Sequence, residues 1–377
     1  MPRIRIAVVL PGLGRVQRGA ETAFIEVAHA LSRDPDVETV LFGSGRDVPE
    51  GLDVRDVGCV PRERFEGWPR VPCLRNETQY EELSFILRLA ARRAYRPDDF
   101  DAVVACSYPW VNWYLRRAKG RAARPKQIFV TQNGDWMCQA PNREYRYFAC
   151  DGLVCINPDY YDRHKHRYPC ALIPNGVDAD VYLPRAGGAV FDDPRIPPGR
   201  PVVLMVSALI PAKRVAQAVR SVALVPDALL VVAGDGPERA AVSALGDALM
   251  PDRLILLGSI PRARTPDLYR RADAFLHMHP DEPFGIAYLE AAATGLPIVA
   301  PDVPTARWIL GDSALFADPK EPASVASALG RALSTDEGPA LGQSARRRVV
   351  SDWTWESQAA KYREFIGQIV TGSRRAS

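Results

Sequence analysis

Two glutamates in the last third of the chain are the residues best placed to do chemistry. Glu282 and Glu290 are separated by seven residues in Asp281-Glu282-Pro283-Phe284-Gly285-Ile286-Ala287-Tyr288-Leu289-Glu290. Apolar runs at 274–278 and 298–300 flank the segment, so it reads strand, tight loop, helix, strand. Glu282 falls in the loop at the carboxyl end of a strand, where α/β sheets bind their ligands. Glu290 falls about a turn inside a helix of Ala, Leu and Tyr that is apolar on most sides. A carboxylate there demands hydrogen-bonding partners. Gly295 closes the helix as a left-handed cap, and Pro297 keeps it from resuming. The bland alternative is one acid at a helix start and one in solvent. The apolar surroundings of Glu290 count against it.

Cations and glycines occupy comparable places elsewhere. Lys213 and Arg214 follow the strand 202–206 and Ser207, at the start of an expected helix. Cations there can neutralise a diphosphate leaving group. After the first strand come Gly12, Gly14 and Gly19, which allow a close backbone approach and lead to the free amides of a helix start. This is not a dinucleotide fingerprint, because Gln17 stands in the place of the third glycine. A nicotinamide oxidoreductase is therefore disfavoured. Gly234, in Ala233-Gly234-Asp235-Gly236-Pro237-Glu238, marks a tight turn at a strand end, for which structural and ligand-binding readings weigh equally.

Other chemistry-bearing residues have plainer readings. His277 and His279 alternate on an expected strand and share a face, but no third metal ligand stands near them. His164 and His166, in the charged run 162–167, read as solvated. Trp110, Trp113, Tyr114 and Leu115 lead into Arg116, Arg117, Lys119, Arg121, Arg124 and Lys126. Such a stretch suits a membrane surface, although an ordinary helix with a basic loop is the preferred reading. Asn76-Glu77-Thr78 fits a glycosylation sequon that stays idle without secretion. The region 48–82 shows no motif.

The elements that must position these residues repeat twice. Strands are expected at 4–10, 39–43, 102–107, 127–132, 153–156 and 171–173, then at 202–206, 229–233, 254–257, 274–278 and 297–300. Between the first two, Ala23, Phe24, Val27, Ala28 and Leu31 recur at helical spacing over 20–32. Strands alternating with helices imply parallel sheets covered on both faces. With 377 residues there is room for two such domains. The expected boundaries are 1–182, a linker at 183–200 rich in Pro and Gly, and 201–354. A final amphipathic helix is expected over about 355–371. Hydrophobic residues make up 47% and charged residues 25%, as in ordinary soluble proteins. A net charge of +3 is too mild to imply a nucleic-acid partner. No run of about 18 apolar residues could span a membrane. Seven cysteines without a C-x-x-C spacing, and no signal peptide, point to reduced thiols in a cytoplasm, with contact at the inner membrane face as the variant reading.

The segment from Glu282 to Glu290 resembles the E-x7-E signature of retaining, nucleotide-sugar-dependent glycosyltransferases of family 4, the glycosyl-transferase group 1 type. Further family-like segments follow in order over nearly the whole chain. Arg18-Gly19-Ala20-Glu21 resembles the family's G-G-A-E loop, which faces the donor. Ser207 to Arg214 resembles its S-R-L-x-x-x-K-R segment, with Ala208 in place of the usual arginine. Ala233–Glu238 matches G-x-G-P-E, and 173–178 matches I-P-N-G-V-D, a hinge turn. Gly258, Ser259 and Ile260 resemble the stretch where relatives hold the nucleobase through backbone groups. Gln132 and Asn133 stand where relatives carry a histidine that touches the donor sugar or acceptor. Neither can act as a base near neutral pH.

The resemblance implies the α/β GT-B fold, two doubly wound Rossmann-like domains facing across a cleft, with the last helix crossing back onto the first. It implies transfer of a hexose-type sugar from a nucleoside diphosphate to a hydroxyl of a glycan, lipid-linked or small-molecule acceptor. Glu282 and the backbone of Pro283, Phe284, Gly285 and Ile286 would hold the sugar, and Glu290 the ribose. Lys213, with Arg214, would stabilise the diphosphate, and no metal or other cofactor would be needed. A sugar-nucleotide epimerase of the same fold and a catalytically silent nucleotide-sugar binding protein remain the alternatives.

Overall fold

The computed structural model describes residues 3–117, 125–139 and 145–372. The chain divides into two compact units, Met1–Asn175 with Trp355–Ser377, and Gly176–Thr354. In the first unit the order is β1 (Ile4–Val9), α1 (Gly19–Ser32), β2 (Val37–Gly43), β3 (Asp53–Asp56), α2 (Glu77–Ala91), β4 (Ala102–Ala105), α3 (Trp110–Arg117), β5 (Lys126–Val130), β6 (Gly152–Cys155), α4 (Pro158–His164) and β7 (Cys170–Leu172). All seven strands are parallel, in the order β3-β2-β1-β4-β5-β6-β7.

The second unit holds β8 (Val202–Val206), α5 (Val215–Ala223), β9 (Leu229–Ala233), α6 (Arg239–Leu249), β10 (Leu254–Gly258), α7 (Thr265–Arg271), β11 (Ala274–Leu276), α8 (Ile286–Ala293), β12 (Ile298–Pro301), α9 (Pro304–Leu310), β13 (Leu315–Ala317), α10 (Pro322–Ala332) and α11 (Glu337–Asp352). Its six parallel strands run β10-β9-β8-β11-β12-β13. In each sheet the strand order reverses once, between β1 and β4 and between β8 and β11. Loops leave opposite ways there and open a crevice at the carboxyl ends of those strands.

The central strands are largely apolar on both faces because helices cover both. Residues 7, 9, 40 and 42 of β1 and β2 pack with Phe85 and Leu89 of α2. Val203, Met205, Leu230 and Val232 of β8 and β9 pack with Val219 and Val222 of α5. The five apolar positions expected on the inner face of α1 are buried. The final helix, α12 (Trp355–Gly372), belongs to the first unit and packs on α1.

Several expectations shift. β3 and β13 lie outside the expected strands; both are short strands at sheet edges, and β3, Asp-Val-Arg-Asp, lacks an apolar run. β5 stops at Val130, where its pairing with β6 ends, so Gln132 lies in the 3-10 turn Thr131–Asn133. β11 stops at Leu276, so His277 and His279 lie in a loop and not on a strand face. The Pro- and Gly-rich stretch expected as a linker belongs to the second unit. Arg185 donates to the carbonyls of Arg270 and Ala272, both at 2.8 Å, and Phe191 is buried. Its composition breaks helices and strands, yet its polar groups find partners.

His164 is buried, not solvated: its Nε2 lies 2.8 Å from Asp135 Oδ2. Asn76 caps α2, its Oδ1 accepting from the Gln79 amide at 3.0 Å. All seven cysteines are free. Of the aromatic–basic stretch, Lys119, Arg121 and Arg124 lie outside the described residues. No described helix is long and apolar enough to cross a membrane.

Candidate functional site

In the second unit the strand reversal sets the loop after β8 beside the loop after β11. The first carries Lys213, the last residue of the 3-10 turn Pro211–Lys213. The second carries His277, His279 and Glu282. Glu282 Oε2 pairs with Lys213 Nζ, lies 3.1 Å from His279 Nδ1 and 3.6 Å from His277 Nε2. The recorded contacts of the Glu282 carboxylate all fall on Oε2; among the described residues Oε1 takes no hydrogen bond. Burial pushes the Glu282 carboxyl up, but the two imidazoles and the Lys213 ammonium outweigh it and hold the group far below the usual carboxylate range. Glu282 is a fixed anion.

The loop geometry depends on Gly285, at φ +82, where a Cβ would meet the Tyr288 ring at 2.8 Å. That close approach lets Tyr288 fold under the loop, with its hydroxyl 3.0 Å from His277 Nδ1. Phe284 is buried against Trp308 and Trp353, with ring centroids 6.3 and 5.8 Å away. An anchored Phe284 fixes the backbone at residues 284–286, where α8 presents its first amides.

Glu290 lies in the second turn of α8 and is 7% exposed. Tyr182 donates to its Oε1 at 2.9 Å and Tyr269 to its Oε2 at 2.8 Å, while Arg262 Nη1 lies 3.6 Å from Oε1. These are the partners a buried carboxylate requires. Burial and the Glu290 charge raise both phenols well above their ordinary value, so they remain donors. Glu290 thus joins the segment after residue 176 to α7 and α8.

Arg214 follows Lys213 at φ 54, ψ 37, a left-handed conformation uncommon for a side-chain-bearing residue. It is half-buried, and its guanidinium has no hydrogen bond or ion pair among the described residues. Ala208, the place of the usual arginine, is exposed. Gly234 is demanded by packing: at φ +142 a Cβ would meet the Ser207 carbonyl oxygen at 2.0 Å. Its amide donates to the Gly258 carbonyl at 2.8 Å, which brings the ends of β9 and β10 together. Ser259 is exposed and Ile260 half-buried beside them.

In the first unit, Gly12 and Gly14 serve the fold. A Cβ on Gly12 would meet Glu21 Oε1 at 2.1 Å, and one on Gly14 the Gly45 backbone at 2.6 Å. Gly19 has nothing within 4 Å of its Cβ position and opens α1 onto free space. Glu21 is buried, and burial, opposed by Arg18, leaves its carboxyl above its usual range. Arg15 and Arg18 pair with buried Glu81, the latter at 3.5 Å. Gln132 and Asn175 exchange reciprocal amide hydrogen bonds, so the Gln132 side chain is already committed. Asn133 is exposed, its Nδ2 3.6 Å from Cys106 Sγ.

The structure therefore gathers Lys213, Glu282 and the turn 283–286 on one crevice, with the ends of β9 and β10 beside it and Glu290 behind. The sequence did not reveal Tyr182, Tyr269 and Arg262, which hold Glu290, or the histidines and Tyr288 that hold Glu282. An acid inside an apolar helix signals that donors must exist, but those donors come from distant parts of the chain.

Two family models match, Glycosyltransferase Family 4 over residues 17–181 and Glycosyl transferases group 1 over residues 189–348. Among curated relatives, the chain is similar to the GDP-mannose-dependent alpha-(1-6)-phosphatidylinositol monomannoside mannosyltransferase of Mycolicibacterium smegmatis, 26% identical over 220 residues. That match spans little more than half of either protein, 54% of this chain and 56% of the relative. The D-inositol 3-phosphate glycosyltransferase of Xylanimonas cellulosilytica is 26% identical over 95% of this chain and 93% of its own length. Among solved structures, sucrose-phosphate synthase from Thermosynechococcus elongatus superposes over the full length of both chains with a TM-score of 0.75 at 19% identity, a likeness of fold. With one family segment on each Rossmann-like unit and the paired glutamates in the second, the chain belongs to the family 4 glycosyltransferases of GT-B fold.

Proposed function

We propose that this glycosyltransferase moves a hexose-type sugar from a nucleoside diphosphate to an acceptor hydroxyl with retention of anomeric configuration. The observation that supports it most is the Lys213–Glu282 pair at the strand reversal of the second unit. A cation there can meet the growing charge of a departing diphosphate. The free Glu282 oxygen and the amides at 284–286 can accept from and donate to sugar hydroxyls. Glu290 would reach the ribose with the lone pairs its tyrosines leave open. The bond from the anomeric carbon to the diphosphate oxygen breaks, the acceptor oxygen bonds on the same face, and its proton passes to the departing diphosphate. No carboxylate nucleophile is assigned.

Lys213 and Arg214 supply the positive charge, so transfer is expected to survive chelation with EDTA. The relatives named for phosphatidylinositol mannoside and inositol phosphate suggest a polyol acceptor, free or lipid-linked. A peripheral membrane contact would use α3, where Trp113, Arg116, Arg117 and Tyr147 line a hollow of about 740 Å³. An inner-face, cytoplasmic location goes with that reading.

Incubation with labelled UDP-, GDP- and ADP-sugars and candidate acceptors tests the proposal. Transfer with retained configuration is the expected result. An epimerised donor would replace it with an isomerase. Binding without turnover would favour a silent nucleotide-sugar binder, the reading that Ala208 supports.

A further inference from the structure

The contacts around Glu282 hold a conflict that the two histidines resolve differently. His277 Nδ1 receives the Tyr288 hydroxyl at 3.0 Å and the His279 backbone N–H at 3.3 Å. The backbone N–H can only donate, so Nδ1 must be a lone pair; the Tyr288 hydroxyl then donates to it as well, and the His277 proton sits on Nε2, facing Glu282. That tautomer is fixed by the fold.

His279 is not fixed. Its Nδ1 lies 3.1 Å from Glu282 Oε2 and 3.4 Å from Lys213 Nζ. The carboxylate asks this nitrogen to carry a proton, and the ammonium asks it to offer a lone pair. One nitrogen cannot do both. While Lys213 bridges the pair, the ammonium satisfies the carboxylate and the imidazole together, and Nδ1 accepts. Once Lys213 turns to another anion, Oε2 loses its strongest donor; His277 Nε2 stays 3.6 Å away, beyond hydrogen-bond reach, and a proton on His279 Nδ1, at 3.1 Å, replaces the lost contact.

We propose that His279 is a positioning residue that takes the place of Lys213 on Glu282 when the diphosphate draws the lysine away. The proton moves from Nε2 to Nδ1 through solvent, which the half-buried ring still reaches, and the proton count of the site is unchanged. Glu282 thus stays ionised and oriented toward the sugar while Lys213 serves the leaving group. The charged or titratable groups facing His279 are Lys213 from the turn before α5 and, on its own loop, Glu282 and His277, with Tyr288 of α8 behind His277. The proposal rests on reading Lys213 as the leaving-group cation, yet its first test needs no ligand.

The test is nitrogen NMR of the ¹⁵N-histidine-labelled full chain at pH 8, above the ordinary imidazole range. In the free protein His279 Nδ1 should resonate as an unprotonated nitrogen. In Lys213→Met it should resonate as a protonated one, with the His277 pattern unaltered. UDP, GDP or inorganic pyrophosphate added to the unsubstituted protein should cause the same change. Kinetically, His279→Ala should lower kcat about ten- to a hundredfold, the scale of one hydrogen bond to a charged group. Its nucleoside diphosphate affinity should hold. His279→Asn, whose amide nitrogen sits near the Nδ1 position, should recover most of the loss. The same His279 tautomer in unsubstituted and Lys213→Met protein overturns the proposal, and so does Asn no better than Ala. A tautomer change without transfer from any donor would instead sink the functional reading and leave this one standing.

Discussion

Replacing Glu290 with alanine should weaken the second unit as a folded body, by an amount the geometry allows one to work out. The Tyr269 hydroxyl is wholly buried and, among the described residues, donates to Glu290 Oε2 alone, at 2.8 Å. Stranding such a group costs about 1–3 kcal/mol. Tyr182 loses its bond at 2.9 Å but keeps Thr265 Oγ1 at 3.0 Å, so its loss is smaller, about 0.5–1 kcal/mol. Arg262, half-buried and 3.6 Å away, adds little. The expected total is about 1.5–4 kcal/mol. Urea denaturation, followed by a signal from the second unit, measures it. The decisive step is the double variant Glu290→Ala with Tyr269→Phe. Removing the stranded hydroxyl should recover about 1–2 kcal/mol of the loss, although each change alone destabilises. If the two losses simply add, the account of Glu290 as the acceptor that satisfies buried phenols is refuted.

Three further outcomes follow from the same crevice. Lys213→Ala should lower kcat by roughly 10²–10³, with Lys213→Arg intermediate and Arg214→Ala down about tenfold; full activity in Lys213→Ala with a confirmed donor ends the leaving-group assignment. Glu282→Gln should reduce kcat while nucleoside diphosphate affinity, measured by calorimetry, stays near that of the unsubstituted protein; equal losses in both would move Glu282 from the sugar to the nucleotide. The pH dependence should differ between units. Unfolded, Glu282 titrates near about 4.3 and His277 near about 6.5, and folding holds both lower. As pH falls from about 7 to about 4 the folded second unit therefore binds fewer protons than its unfolded chain, and its stability declines. Burial holds Glu21, Glu81 and Glu82 of the first unit above the ordinary range, so that unit gains stability in the acid. Denaturation at the two ends of this window, read unit by unit, should show the second weakening relative to the first; parallel shifts would contradict it.

What could be read from the chain was what repeats along it. Continuous apolar strands alternating with amphipathic helices gave both doubly wound units, and Gly285, Gly295 and Pro297 marked the turn and the helix end around the paired acids. Strand ends were less legible. A ladder stops where its neighbour stops, which is why Gln132, His277 and His279 left the strands assigned to them. Burial of polar groups was least legible of all. His164 sits in a run of charges, yet Asp135, 29 residues earlier, draws it inside. The residues between 48 and 82 lack a motif because Glu81 and Glu82 act through partners such as Arg15 and Ser107, far off in sequence.

Phe284 lies against Trp308 and Trp353, whose own ring centroids are 4.8 Å apart at 66°. Of the seven tryptophans in the chain, these are the two that belong to the second unit. Indoles so close and so inclined couple their electronic transitions, and their emission responds to the packing of the phenyl ring between the loop and α9. The protein therefore carries a built-in optical gauge on the turn that follows Glu282. If the donor settles on that turn as proposed, circular dichroism and intrinsic fluorescence of the unlabelled chain would register it, without a radiolabel, a coupled assay or knowledge of the acceptor.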